Sequence, residues 1–159
     1  GFVGRRNVAV ILGDNVFEQS MKRYVDEFIE DENHDCYLFL KPVSDPQSFG
    51  IAWIDGSGRI VNMQEKPETS DSNLAITGLY IYTPRVYSMI DEILETTGYS
   101  SRGELEITDI NRLFMQKNLA KGCHFDSHWA DCGTIDALLE TSVLMKKWNL
   151  GPWLPQKEA

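Results

Sequence analysis

Residues 7–20 read NVAVILGDNVFEQS. The run Val8-Ala9-Val10-Ile11-Leu12 is apolar and rich in β-branched side chains, and it stops at Gly13-Asp14-Asn15. So continuous an apolar run fits a strand covered on both faces, which is expected to lie inside a sheet with a neighbour on each side. Loops at the carboxyl ends of such strands are where open α/β sheets bind ligands. Asp14 therefore has two readings. It is a ligand of a hard cation such as Mg²⁺, which takes oxygen donors and bridges to phosphate, or it is the polar residue of an Asx turn or a helix cap.

Working outward, the spacing of Met21, Tyr24, Val25, Phe28 and Ile29 predicts an amphipathic helix over about 18–32. DCYLFLKPV (35–43) reads as a second strand, and FGIAWIDGSGRIVNMQEKP (49–67) as two strands turning at Asp55-Gly56-Ser57-Gly58. LAITGLYIYT (74–83) is another buried strand, and Pro84 stands where prolines open helices, ahead of Val86, Met89, Ile90, Ile93 and Leu94. A helix is predicted over 106–118 and one or two short strands over 122–133. A last helix follows, capped by Thr134 and running to about Trp148. This order implies an α/β protein with a mixed, partly antiparallel sheet flanked by helices. Residues 1–149 are expected to form one domain and 150–159 an irregular tail.

The 159 residues suffice for a single packed core, and 42% hydrophobic with 25% charged residues is a globular composition. A net charge of -9 argues against nucleic acid as a partner, because polyanions are gripped through Lys and Arg. A small phosphorylated ligand held by a few placed basic residues remains compatible with it. No apolar run approaches a membrane span, so no membrane partner is expected. Cys36, Cys123 and Cys132 form no CxxC pair, which fits a reduced, cytoplasmic protein.

Three further stretches carry candidate chemistry. In QEKP (64–67), Glu65 and Lys66 are either two solvated charges before a proline or a pair that serves sugar hydroxyls and a phosphate. In SRGELEITD (101–109), Ser101 with Glu104 fits a capping box and Thr108 is a second candidate cap. Arg102, beside a helix N-terminus, suits a phosphate. In HWADCGT (128–134), Asp131 is expected between a strand and a helix, as Asp14 is. A zinc site from Cys123, His124, His128 and Cys132 is disfavoured, because strand alternation sends Cys123 and His124 to opposite faces.

Taken in order, LGDN, DPQSFGIAWID, EKP, AITGLYIY, SRGELEITDINR and WADCGT resemble the sugar-1-phosphate nucleotidyltransferases, and among them the glucose-1-phosphate thymidylyltransferases. The resemblance runs from about Phe2 to Met145 and implies a Rossmann-like fold. It implies transfer of a nucleotidyl group from a nucleoside triphosphate to a sugar 1-phosphate with release of pyrophosphate, assisted by Mg²⁺. It assigns the metal to Asp14 and Asp131, sugar hydroxyls to Glu65, the sugar phosphate to Lys66 and Arg102, and the sugar pocket wall to Gly50 and Ile76.

The sequence departs from the family pattern in two places. Where the family resembles WLDTGT, this chain has Trp129-Ala130-Asp131-Cys132-Gly133-Thr134. The family's Gly-rich loop, resembling GGxGTRLxPxT and lying upstream of LGDN, has no counterpart in residues 1–6. The expectation is a truncated form that keeps the sugar-phosphate half and lacks the N-terminal nucleotide-binding segment, with no catalytic residue assigned. Such a chain is expected to be inactive alone, with a nucleotide-binding half on another chain as a possible complement. The alternative is a non-catalytic sugar-phosphate-binding or interaction module. An uncovered apolar edge at VAVIL further implies a homo-oligomer.

Overall fold

A computed structural model describes residues 4–99, 103 and 105–148. The elements in chain order are β1 (Val8–Ile11), β2 (Asn15–Phe17), α1 (Lys22–Glu30), β3 (Cys36–Pro42), a short 3₁₀ turn (Pro46–Ser48), β4 (Gly50–Ile54) and β5 (Ile60–Glu65). They continue with β6 (Leu74–Tyr82), α2 (Val86–Thr96), α3 (Ile107–Gln116), β7 (Ala120–His124), β8 (Trp129–Asp131) and α4 (Ile135–Trp148).

The main sheet runs β5-β4-β6-β3-β7, and β1 adds to β6 on the same side as β4. Only β3 and β7 are parallel among its pairs; the others are antiparallel. The mixed sheet flanked by helices is the arrangement the element order implies. At the hairpin between β4 and β5, Asp55 Oδ1 accepts the N–H groups of Ser57 and Arg59, and Gly58 takes φ +85°. Gly58, not Gly56, supplies the left-handed residue.

The centre of the molecule is β3, not β1. Tyr37 and Phe39 point to one face, where Tyr24 and Phe28 of α1 meet them edge-on at 5.0 and 4.9 Å between ring centroids. Such pairs contribute about 0.5–1.5 kcal/mol each beyond area burial. Cys36, Leu38 and Leu40 point to the other face, against Met89, Ile93, Ile110 and Phe114 of α2 and α3.

VAVIL is apolar enough for an inner strand, yet it has the uncovered edge that the departure from the family pattern implies. β1 pairs with β6 alone among the described strands, its burial alternates, and Ile11 is 58% exposed. The reason lies in β6, which gives its Leu79–Tyr82 stretch to β1 and only Leu74 and Ala75 to β4. Both strands thus occupy one flank of β6, end to end. A bulge opposite Phe39 places extra β6 residues between Ile76 and Tyr80, so the strand bends where that flank is open. Val25, Ile29 and Leu94, expected on helix faces against the core, are also partly uncovered.

Candidate functional site

The gap between β1 and β4 on the flank of β6 is the mouth of a cleft of about 210 Å³. Ile76 and Gly78 of β6 form part of its wall, and Gly50, Glu65 and Lys66 enter from the β4–β5 end. Asp131 with Trp129 of β8, and Thr108 with Asn111 of α3, complete it. Five residues singled out in the sequence, Gly50, Glu65, Lys66, Ile76 and Asp131, therefore share one cleft. Arg102, Ser101 and Glu104 lie outside the described residues.

The carboxylate of Glu65 is held in place. Thr108 Oγ1 donates to Glu65 Oε2 at 2.9 Å, so Thr108 serves the cleft and does not cap α3. A Cβ at position 50 would stand 3.0 Å from the same Oε2, which explains a glycine there. Lys66 has φ +41°, an uncommon value for a residue with a side chain, and its N–H donates to Phe49 O at 3.0 Å. Strain of this kind tends to collect at functional sites.

The two aspartates are brought together by a sheet of two short strands. β2 and β8 pair with Asn15 opposite Asp131, and Cys132 N–H donates to Asp14 O at 2.6 Å. Asp14 is thus followed by a strand, which removes the helix-cap reading. A Cβ at Gly133 would lie 3.0 Å from Asp131 Oδ1 and 3.8 Å from Asp14 Oδ2, so both carboxylates flank one glycine. Asp14 Oδ1 accepts from Asn15 Nδ2 and Asp131 Oδ1 from Gly133 N–H, leaving both Oδ2 atoms without a hydrogen bond among the described residues. Two carboxylates with free oxygens fit Mg²⁺, which is usually held by one or two carboxylates plus substrate phosphates.

Asn15 joins these parts and was not singled out in the sequence. Its Oδ1 accepts the N–H of Gly78 at 2.8 Å and Trp129 Nε1–H at 2.7 Å, while its Nδ2 donates to Asp14. A side chain at Gly78 would collide with it, since a Cβ there would be 2.5 Å from Asn15 Nδ2. The motif LGDN contains Asn15, but its three partners are distant in sequence and only the folded chain brings them together. For the disfavoured zinc set, Cys123 is buried while His124 is exposed, as alternation along β7 requires. Burial also pushes the Cys123 thiol up to about 12.

The sequence family described as Nucleotidyl transferase matches residues 2–147. The chain belongs to this family. Curated relatives of this chain include the low-salt glycan biosynthesis nucleotidyltransferase Agl11 of Haloferax volcanii. That protein is 35% identical over 149 residues, covering 91% of this chain and 39% of the relative. A glucose-1-phosphate thymidylyltransferase of Neisseria meningitidis is 32% identical over 152 residues, covering 91% of this chain and 50% of the relative. The chain thus spans half or less of the length of these two relatives. Among solved structures, a Bacillus anthracis protein assigned as a glucose-1-phosphate thymidylyltransferase, in complex with sucrose, superposes with a TM-score of 0.82 at 35% identity. It covers 94% of this chain and 58% of that one. An apo UDP-glucose pyrophosphorylase superposes at 0.75 with 26% identity. The fold is accordingly the Rossmann-like fold of nucleotidyltransferases.

Proposed function

We propose that this nucleotidyltransferase chain binds a sugar 1-phosphate in the cleft, as the sugar-phosphate half of an enzyme that makes a nucleoside diphosphate sugar. In the family reaction an oxygen of the sugar phosphate attacks the α-phosphorus of a nucleoside triphosphate, and pyrophosphate leaves. The observation that carries the reading is the convergence of Glu65, Lys66 and Asp131 on one small cleft, with Asp14 beside Asp131. The cleft is smaller than the roughly 300–1,000 Å³ of pockets for drug-sized ligands, which suits a single sugar ring.

The charges also favour a cation. Among the described residues lining the cleft, Lys66 is the only cation beside two carboxylates, so a phosphate entering alone would meet repulsion. Asp14 and Asp131 would hold Mg²⁺, which when bound neutralises charge on phosphate oxygens. Lys66 holds the sugar phosphate as a point charge, aided by Arg102. Glu65 accepts from sugar hydroxyls, oriented by Thr108. Gly50 and Ile76 shape the wall. Residues 1–149 are read as this one binding unit, and the three free thiols agree with a reduced, cytoplasmic setting. Among the described residues no helix is long and apolar enough to cross a membrane.

Titration calorimetry with glucose 1-phosphate checks the reading. Binding should strengthen with Mg²⁺ and fall about tenfold or more in Lys66→Ala, as expected for loss of a charged hydrogen bond. Affinity unchanged by Lys66→Ala and by Arg102→Ala overturns it. With a nucleoside triphosphate added, the isolated 159-residue polypeptide should release no pyrophosphate, and a nucleotide-binding fragment from a full-length relative should restore release. Sugar-phosphate binding with no turnover under any complementation would favour the non-catalytic module instead. A second copy of the chain is the proposed cover for the open edge of β1.

A further inference from the structure

The floor of the cleft holds a hydrogen-bond donor to which the sugar-phosphate reading gives no role. Asn111 of α3 is 1% exposed, yet it lines the cleft. Its Oδ1 is committed toward the core, where it accepts the O–H of Tyr82 at 2.7 Å and faces Cys36 Sγ at 4.0 Å. Tyr82 is fixed in turn, stacked between Tyr80 at 6.1 Å and Phe114 at 5.7 Å. With Oδ1 accepting from Tyr82, Nδ2 is the amide atom left for the cleft that Asn111 lines, and it makes no hydrogen bond among the described residues.

Nδ2 is not one of the fully buried polar atoms without a partner, so it reaches the cleft and can meet an acceptor there. Thr108, one turn earlier on the same helix, already presents Glu65 to the cleft. Acceptor carboxylate and donor amide thus stand side by side on one wall. A sugar hydroxyl is both donor and acceptor, so a polyol ring satisfies both groups together, which a purely anionic ligand does not.

We propose that Asn111 is a substrate-binding residue that sets specificity, with Nδ2 donating to one ring hydroxyl of the sugar 1-phosphate, and that Tyr82 is the positioning residue that aims it. The inference rests on the sugar-phosphate reading. A site built around a buried donor rejects an analogue lacking its acceptor more strongly than an apolar pocket rejects a missing methylene.

The test is calorimetry in Mg²⁺ with glucose 1-phosphate and its four monodeoxy analogues, on the wild type, Asn111→Ala and Tyr82→Phe. The wild type should lose about tenfold in affinity for one analogue, the effect of one hydrogen bond. Asn111→Ala should bind glucose 1-phosphate more weakly, yet bind that analogue and the parent within about twofold of each other. Tyr82→Phe, which keeps the ring stack, should shrink the same discrimination and no other, and it carries the test if Asn111→Ala fails to fold. A uniform loss for all five ligands in the folded variants marks Asn111 as structural only and overturns the inference. So does a wild type that binds all five alike. Both results leave the sugar-phosphate reading standing, whereas a wild type that binds none of the five overturns both.

Discussion

Lys66 shows how much one residue concedes to its place. Its φ of +41° lies where a side chain costs about 1–2 kcal/mol, and it precedes Pro67, which favours extended backbone instead. Its neighbours hold it there, through the bond to Phe49 O and the burial of Pro67. Lys66→Gly should therefore melt higher than Lys66→Ala by about 1 kcal/mol of stability, while both lose the phosphate contact. Equal stability of the two variants would remove strain from the account. Asp31, away from the cleft, carries a separate signature. Burial alone would raise its carboxyl, but hydrogen bonds from Tyr37 O–H, Asn33 N–H and His34 outweigh this and hold it down from 3.8 to about 2. A depressed carboxyl contributes stability that is present above its ordinary value and lost as pH falls toward the folded one. The melting temperature of Asp31→Asn should accordingly change less than that of the wild type between pH 3.8 and about 2.

At the scale of elements, the helices and the hairpin were readable because their signals are local. Helical spacing marks α1 and α2, and Thr134 does cap α4, its Oγ1 accepting Ala137 N–H at 3.2 Å. β2 was missed, since three residues carry no periodicity and its partner β8 lies near the other end of the chain. That pairing nonetheless unites Asp14 with Asp131. Gly78→Ala tests its support from β6. The new Cβ must displace Asn15, so stability should fall by about 1–3 kcal/mol and the Mg²⁺-dependent gain in sugar-phosphate affinity should shrink. Thermal melting and calorimetry read the two effects separately. If stability falls and the Mg²⁺ gain does not, Asn15 does not govern Asp14.

Across the whole molecule, the apolar surface left open is concentrated on the elements around β1 and on α4. Ile11 is 58% exposed beside the edge of β1 that no described strand pairs, Ile29 of α1 is 67% exposed, and α4 turns Ile135 and Leu139 outward at 79% and 62%. A strand edge with unpaired backbone groups and apolar side chains invites another strand. Light scattering should therefore find a dimer or larger species, and Ile11→Lys, which charges the edge, should return it to a monomer. A wild type that is already monomeric at all concentrations would refute self-association through this edge.

The sequence by itself determined the α/β class and the order of the elements other than β2, because periodicity and turn chemistry are properties of neighbouring residues, and motif order pointed to five of the residues that line the cleft. It also placed Glu65 next to Lys66 without need of a fold. Only the tertiary structure decided that β3 is central, because continuous apolarity does not reveal which strand has neighbours on both sides. It also decided that Thr108 turns to Glu65, that Asn15 ties Asp14 to Gly78 and Trp129, and that Asn111 keeps a donor for the cleft. Each of these depends on long-range pairings in three dimensions, which no local pattern encodes.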